Sequence, residues 1–436
     1  MVLERSLTKQ GSHLATPSDI TDDSASDGRG NAVALAPVTR GERIESLDFI
    51  RGIAVMGILA ANIIAFGQPH NAVLFPQSFQ VPDGDPGNWM WLTQQLLIDG
   101  KMRGLFTVLF GAGLAIFAER IAEKPDGGMF VLYRRLFWLA IFGLLHYFLL
   151  WDGDILFMYA VCGVLALFFV HLPPTNQIIL GAIGVSVAAL YWSLVFAGEQ
   201  AMAANDPIIQ AASAQWMQEL DAQRTRLMLD STYIEFVTTM VRDDYFGPID
   251  LVGSNFVEST GLILIGMGLC RLRFFHGEWM PDRLKLLGWA GLAAGLAMQL
   301  PLSLWVRSTG FDLYAVYLAE FGPSDFPRLI MTLALAALMV GYSDRWHGWI
   351  AQRVRAAGRA AFTNYIGTSF VMLFVFSGWA LGLFGQLDRP QLYAIVLVAW
   401  VVMLAWSKPW LDHFKYGPLE WLWRCLTYGK LLPNRR

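Results

Sequence analysis

Long apolar runs alternate with short polar segments along most of the chain. A helix that spans a bilayer needs about 20 mostly apolar residues, and many of these runs approach that length. The pattern therefore predicts an all-α fold, a polytopic transmembrane bundle of about ten helices. The predicted helices lie near Leu47–Phe66, Gly104–Ala118, Val131–Leu150, Ile155–His171, Ile178–Phe196, Leu251–Cys270, Leu284–Trp305, Leu329–Tyr342, Phe362–Leu381 and Leu392–Trp406.

Three stretches depart from this pattern, namely residues 1–42, 198–245 and 410–436. Residues 1–42 are rich in Ser, Asp, Gly and Thr without a hydrophobic period, which predicts a disordered cytoplasmic segment. Residues 43–409 form the predicted transmembrane domain, with a polar insertion at 198–245 on the extracytoplasmic side. Residues 410–436 alternate tryptophans with basic residues, which predicts an amphipathic cytoplasmic tail on the membrane surface.

The charges of the connecting loops predict the orientation. Lys and Arg accumulate on the cytoplasmic side of membrane proteins. With the N-terminus inside, the long inner loops are basic and most outer loops are acidic, which favours cytoplasmic N- and C-termini. The basic residues include Arg120, Arg134, Arg135, Arg271, Arg273, Arg345, Arg353, Arg355 and Arg359, and the outer acidic residues include Asp83, Asp85, Asp243, Asp244, Asp312 and Glu320.

Composition agrees with a membrane environment. Of the 436 residues, 55% are hydrophobic and only 15% are charged, whereas ordinary soluble domains carry roughly 25% charged residues. The net charge of −3 argues against nucleic acid as a partner. The three cysteines lie in or beside apolar runs and lack metal-ligand spacing, so we expect packing roles and predict no metal site.

The strongest candidate for chemistry joins the third and fourth predicted helices. His146 precedes Asp152 and Asp154 across a short turn. An imidazole beside a carboxylate can accept a proton and remain stabilised as imidazolium, so His146 is a candidate general base. The alternative is structural: His146 satisfies one hydrogen bond, and an aspartate caps the fourth helix.

Two further polar groups lie at predicted helix ends. Lys101 begins the second helix on the outer side, against the usual charge bias, which indicates a pocket with an acidic partner. On the first helix, Arg51 lies three residues after Asp48, where it forms either a local salt bridge or a site for a phosphate or carboxylate. Asn62, later on that helix, can bond a neighbouring helix or a ligand.

Arg359 and Asn364 open a helix from the cytoplasmic side. Arg359 is either an ordinary inner-loop cation or a second phosphate ligand. Asn364 lies deeper, where amides usually bond across helices. Glu420 and Arg424 are four residues apart in the tail and favour an interfacial ion pair.

These blocks together resemble the YeiB-like family of bacterial inner-membrane proteins. The resemblance covers residues from about Arg43 to Tyr428 in the family's order. It is carried by the runs Ser46 to Asn62, Lys101 to Gly113, His146 to Leu156, Gly358 to Tyr365 and Gly417 to Arg424. It implies a multi-pass protein of the bacterial cytoplasmic membrane.

The first-helix run is also similar to that of membrane acyltransferases of the heparan-alpha-glucosaminide N-acetyltransferase group. Those enzymes move an acyl group from a cytosolic coenzyme A thioester to an acceptor across the membrane. In that group the catalytic histidine follows the first helix, where this chain has only His70. The His146 block fits the YeiB-like pattern better.

The leading hypothesis from the sequence is a membrane acyltransferase. His146 acts on an acceptor hydroxyl or amine, oriented by Asp152 or Asp154, and Lys101 stabilises developing negative charge. Acyl-coenzyme A is the expected donor. Arg51 and Arg359 are expected to bind its phosphates, and Asn62 and Asn364 are expected to line its binding site. The expected partners are the bilayer, a small-molecule or glycan or lipid acceptor, and a second copy of the chain in a homo-oligomer. A small-solute transporter or channel is the first alternative, and a non-catalytic scaffold is the second.

Overall fold

The computed structural model describes residues 44–122, 128–204 and 206–436, so the predicted disordered segment 1–42 lies outside the described residues. The described chain forms sixteen α-helices joined by turns and short 3-10 segments. They are α1 Glu45–Gly67, α2 Trp89–Leu97, α3 Lys101–Ala122, α4 Gly128–Leu149, α5 Leu156–Leu167, α6 Pro174–Ala203, α7 Pro207–Leu229, α8 Tyr233–Asp243, α9 Gly247–Arg271, α10 Pro281–Ser308, α11 Leu313–Phe321, α12 Asp325–Gly341, α13 Trp349–Arg359, α14 Ala361–Phe376, α15 Arg389–His413 and α16 Pro418–Tyr428.

The chain is an all-α polytopic bundle. In the described residues, 7 helical stretches are long and apolar enough to cross a bilayer, and α11 with α12, bent by 44°, make an eighth when counted as one span. The helices α5 and α14 are apolar but shorter. Each of the ten predicted apolar segments falls on one of these helices, whereas the number of true spans and the orientation remain predictions.

Small residues allow the central helices to approach closely. A Cβ on Gly111 of α3 would lie 2.1 Å from the Ile263 carbonyl oxygen, and a Cβ on Gly266 of α9 would lie 1.9 Å from that of Val108. Helix association in lipid depends on such close backbone packing. The helices α3 and α9 therefore meet directly, and α1, α5 and α6 pack around them.

Large apolar side chains are exposed along the outer helices. They form stripes on α6 and α15, namely Ile179, Ile183, Val187, Leu190, Leu194, Leu397, Val398, Val401 and Val402. An exposed apolar surface of this extent suits contact with acyl chains rather than water. The bundle therefore has a lipid bilayer as its natural surroundings.

The polar insertion and the tail are both helical. Residues 198–245 contain the end of α6 together with α7 and α8. The tail helix α16 packs on α4, where the Trp423 indole N–H donates to the Arg135 carbonyl oxygen at 2.9 Å. The Arg135 guanidinium also lies 3.7 Å from the centre of the Trp423 ring. The tail is thus docked on the bundle through a cation–π contact.

Candidate functional site

The turn between α4 and α5 places His146 beside Asp154. Gly143 precedes His146 by one helical turn, and a Cβ on it would lie 2.2 Å from the Phe157 backbone nitrogen. The start of α5 can therefore press against α4. The Phe157 N–H donates to Asp154 Oδ2 at 2.8 Å, so Asp154 caps the first turn of α5.

The imidazole of His146 lies between a carboxylate and a hydroxyl. His146 Nδ1 is 2.9 Å from Asp154 Oδ1, and His146 Nε2 is 2.8 Å from Ser369 Oγ on α14. His146, Asp154 and Ser369 are 2%, 4% and 1% exposed. Asp154 thus caps α5 through Oδ2, while its Oδ1 lies at ion-pair distance from His146 Nδ1 without forming a hydrogen bond to it.

Aromatic rings enclose this Asp154–His146–Ser369 cluster. The Tyr365 ring lies 5.0 Å from the imidazole, and the Trp151 ring lies 6.4 Å away at a steep angle. Trp151 packs on Phe66 with ring centres 4.2 Å apart. Within the described chain, the buried Trp151 indole N–H has no hydrogen-bond partner.

Asp152 belongs to a different cluster. Its carboxylate accepts hydrogen bonds from Arg224 on α7 at 3.0 and 3.3 Å and lies 3.4 Å from His70 Nε2. Burial raises the pKa of the Asp152 carboxyl, but the charges of Arg224 and His70 outweigh burial and hold that pKa well below its ordinary value of 3.8. The ion pair ties the predicted insertion to the turn after α4.

Lys101 is fully buried at the start of α3, away from the contacts of His146. Its ammonium donates to the Gln95 carbonyl oxygen, and the charges of Asp99 and Glu320 act on it. An acidic partner for Lys101 stays a prediction, since its hydrogen bond is to a backbone carbonyl oxygen. The Asp99 carboxylate accepts from Gln94 at 3.1 Å.

A network of buried and half-buried charged groups extends from Lys101 along α3, α9, α11 and α12. Arg328 is paired with Glu320 and lies 3.3 Å from Asp325. Arg103 makes two hydrogen bonds with Glu258, at 2.8 and 3.0 Å. Each cation of this network faces a carboxylate, as buried charges require.

Three arginines converge at the other end of the bundle. Arg51 lies 3.4 Å from Asp48, which matches the predicted local salt bridge. Arg51 and Arg424 also lie close enough to Arg135 for their charges to repel its charge. The sequence singled out Arg51, placed Arg135 among ordinary basic residues of the inner side, and gave Arg424 an ion pair with Glu420. The three positive charges therefore lie near one another, with Arg51 beside Asp48 and Arg135 against the Trp423 ring.

The other predicted ligand residues have mainly structural contacts. Arg359 donates to the Lys415 carbonyl oxygen at 3.2 Å, and Asn62 lies half-buried on α1. The Asn364 amide donates to Ala357 O at 3.0 Å and to Ser407 Oγ at 3.2 Å, and it accepts from Trp406 Nε1 at 2.9 Å. Asn364 therefore joins helices, which is one of the two roles expected of it.

Glu420 caps a helix other than its own. Its carboxylate accepts from the Phe362 and Thr363 backbone N–H groups at 2.8 and 3.1 Å and from the Thr363 hydroxyl at 2.6 Å. These groups form the first turn of α14, which carries Ser369. Burial raises the pKa of Glu420 in spite of these hydrogen bonds. The local pairing with Arg424 suggested by the sequence is thus replaced by a contact between α16 and α14.

The fold and its surface define a multi-pass helical membrane protein. Residues 269–430 match the family described as "Protein of unknown function (DUF418)". The chain is 28% identical to "Uncharacterized protein YeiB" of Escherichia coli (strain K12), over 88% of this chain and 96% of that protein. It is also 28% identical to "Uncharacterized protein YxaH" of Bacillus subtilis (strain 168), over 91% of this chain and 96% of that protein. The resemblance to the YeiB-like family is confirmed. No solved structure matches the chain.

Proposed function

We propose that the protein is a membrane acyltransferase that carries an acyl group from a cytosolic coenzyme A thioester to a hydroxyl or amine acceptor on the outer side. The observation that supports this reaction is the position of His146, with Asp154 at one ring nitrogen and a hydroxyl at the other. A carboxylate 2.9 Å from Nδ1 favours a proton on that nitrogen, which leaves Nε2 with the lone pair that accepts a proton. Acyl transfer needs such a base beside a hydroxyl.

The arginine cluster suits the donor. Coenzyme A carries several phosphate groups, and guanidinium groups bind phosphate through paired hydrogen bonds. Arg51, Arg135 and Arg424 lie near one another at the predicted cytoplasmic end of α1, α4 and α16. A donor held there by its phosphates can extend its thioester between the helices toward His146. Arg359 donates to the Lys415 carbonyl oxygen and Lys101 to the Gln95 carbonyl oxygen. Lys101 therefore has no role at the reacting carbonyl.

The acceptor has to reach a buried imidazole. The side chains of His146 and Asp154 are 0% and 2% exposed, so an acceptor approaches only when part of the structure moves. The turn at Trp151–Asp154 is the nearest irregular segment on the predicted outer side. Exclusion of water by this turn protects a thioester from hydrolysis until the acceptor is bound.

The test is thioester turnover by purified protein in nanodiscs. We expect release of free coenzyme A from at least one thioester in a panel of acyl chains. His146→Ala should lower the rate by about 10²–10⁴-fold, whereas Arg51→Ala should raise KM for the thioester. His413→Ala, which changes an exposed histidine, is the matched control and should retain full activity. Wild-type protein that neither binds nor consumes any thioester of the panel, with a panel of hydroxyl and amine acceptors present, would refute the acyltransferase proposal.

A second candidate function is a transporter or channel for a small ion. It is favoured by the network of Lys101, Arg328, Glu320, Arg103 and Glu258, since charges inside a membrane bundle commonly mark an ion path. Proteoliposomes with an internal pH dye would test it. A proton flux that disappears in Glu258→Gln would support a transporter. Wild-type proteoliposomes with no more proton flux than protein-free vesicles would exclude proton transport.

A further inference from the structure

The Ser369 hydroxyl makes a longer hydrogen bond to its own helix than comparable hydroxyls of the chain do. A serine or threonine within a helix usually donates to the carbonyl four residues earlier. Other helical hydroxyls of the described chain do so at short distances: 2.9 Å for Ser186, 2.6 Å for Ser193, 2.8 Å for Ser254 and 2.6 Å for Thr368. The corresponding distance from Ser369 to Tyr365 O is 3.4 Å. The main partner of Ser369 is therefore the His146 imidazole at 2.8 Å.

The direction of this hydrogen bond matters chemically. If Asp154 accepts the proton on Nδ1, then Nε2 carries a lone pair and Ser369 donates to it. A hydroxyl that donates to a carboxylate-oriented imidazole can lose its proton as its oxygen attacks a carbonyl. The same three groups, in the same order of contact, activate serine nucleophiles on unrelated folds.

Burial strengthens the argument. All three side chains lie inside the bundle, where solvent does not compete for their hydrogen bonds. Packing alone would not require a carboxylate and an imidazole here, because desolvating such groups is costly. The buried Trp151 indole N–H also lacks a partner within the described residues, and its ring centre lies 6.4 Å from that of the imidazole.

We propose that Ser369 is a catalytic nucleophile that holds the acyl group as a serine ester between donor and acceptor. This proposal rests on the acyltransferase function proposed above. Ser369 lies eight residues after the start of α14, which places it about 12 Å along the helix from the end that Glu420 caps. A covalent intermediate at this depth lets donor and acceptor use the site in turn, one from each side.

The reaction balances in two steps. In the first, Ser369 Oγ forms a bond to the thioester carbonyl carbon, the C–S bond breaks, and the proton passes through His146 to the departing coenzyme A thiolate. In the second, the acceptor hydroxyl or amine forms a bond to the same carbon, the ester C–O bond breaks, and His146 returns the acceptor's proton to Ser369 Oγ. Asp154 stabilises the imidazolium in both steps.

The experiment uses the full chain in nanodiscs, incubated with acetyl-, octanoyl- or palmitoyl-coenzyme A without an acceptor. Intact-protein mass spectrometry and peptide mapping should find one acyl group on Ser369. Ser369→Ala and His146→Ala should lack it, and Ser186→Ala, which removes a hydroxyl bonded only to its own helix, should retain it. Ser369→Cys should form a thioester instead, which neutral hydroxylamine cleaves. The size of the side chain is nearly unchanged, so this variant separates chemistry from folding.

The outcomes distinguish the two proposals. Acyl-Ser369 that forms in the wild type and decays when an acceptor is added supports the covalent intermediate. If the wild type transfers acyl groups without acylation of Ser369, and Ser369→Ala keeps its rate, then Ser369 is not the nucleophile and the acyltransferase function stands. A wild type that is not acylated without an acceptor and consumes no thioester when a panel of hydroxyl and amine acceptors is added refutes both the acyl-serine and the acyltransferase function.

Discussion

Asp152 and Asp154 are two residues apart, yet their carboxylates point into separate clusters. Asp154 lies 2.9 Å from His146 Nδ1 inside the bundle, whereas Asp152 is paired with Arg224 and His70 at its edge. The intervening Gly153 lies against the Trp151 ring. The chain therefore turns sharply enough to send successive carboxylates to different sites.

This division predicts different consequences for two matched substitutions. Asp154→Asn keeps the shape but removes the charge that orients His146, so thioester turnover should fall by about 10²–10⁴-fold. Asp152→Asn should leave turnover per folded molecule close to wild type and lower the melting temperature. Both quantities are measured on monodisperse nanodisc samples. Equal loss of turnover in the two variants would place Asp152 in the reacting site.

The Asp152–Arg224 pair predicts a pH dependence of stability. The folded-state pKa of Asp152 lies below its ordinary value of 3.8, so the carboxylate stabilises the fold above that value and the stabilisation is lost as pH falls through the folded-state pKa. Arg224→Met should therefore lower the melting temperature at neutral pH, and the difference from wild type should shrink as pH is lowered below about 4. A difference that stays constant from neutral to acid pH would contradict this linkage.

Glu420 is predicted to stabilise α14 and its Ser369. Glu420→Ala removes acceptors from the first turn of α14 and should cost about 0.5–2 kcal/mol, the usual effect of losing a helix cap. Thermal unfolding in detergent measures the loss. Arg424→Ala is the control for the local ion pair expected from the sequence. A larger loss for Arg424→Ala than for Glu420→Ala would favour that pair.

The sequence predicted the features that depend on nearby residues. The apolar helices follow from runs of side chains, and the His146–Asp154 pair follows from two polar groups across a short turn. Ser369 lies 223 positions from His146, and a single serine in an apolar helix has no distinctive pattern. Glu420 shows the same limit, because its local partner Arg424 was visible in the sequence and its distant partner Thr363 was not. Contacts between remote helices depend on packing, which local patterns do not encode.

Lys101 is predicted to be essential for stability. Its removal takes away a cation that acts on the buried Asp99, whereas Glu320 keeps its ion pair with Arg328. Lys101→Met should therefore cost about 3–5 kcal/mol, the usual effect of breaking a buried ion pair. Adding Asp99→Asn should restore part of the loss.

The control for Lys101 is Lys285→Met. Lys285 lies 3.2 Å from the exposed Asp282, and exposed pairs are worth only about 0–1 kcal/mol. Melting temperatures of the two single variants and of the double variant give the comparison. If Lys101→Met has the same melting temperature as Lys285→Met, then the charge of Lys101 is not needed for stability.

The orientation of the chain can be tested with a matched pair of cysteine variants. The native cysteines, Cys162, Cys270 and Cys425, are all buried, so background labelling should be low. Asp243→Cys and Asp344→Cys introduce thiols at exposed positions on opposite predicted sides. Because basic residues flank Asp344, the positive-inside rule places it in the cytoplasm. A membrane-impermeant maleimide should label Asp243→Cys in intact cells and Asp344→Cys only after permeabilisation. The reverse pattern would invert the orientation and move the Arg51 cluster to the outer side, where no cytosolic thioester could reach it.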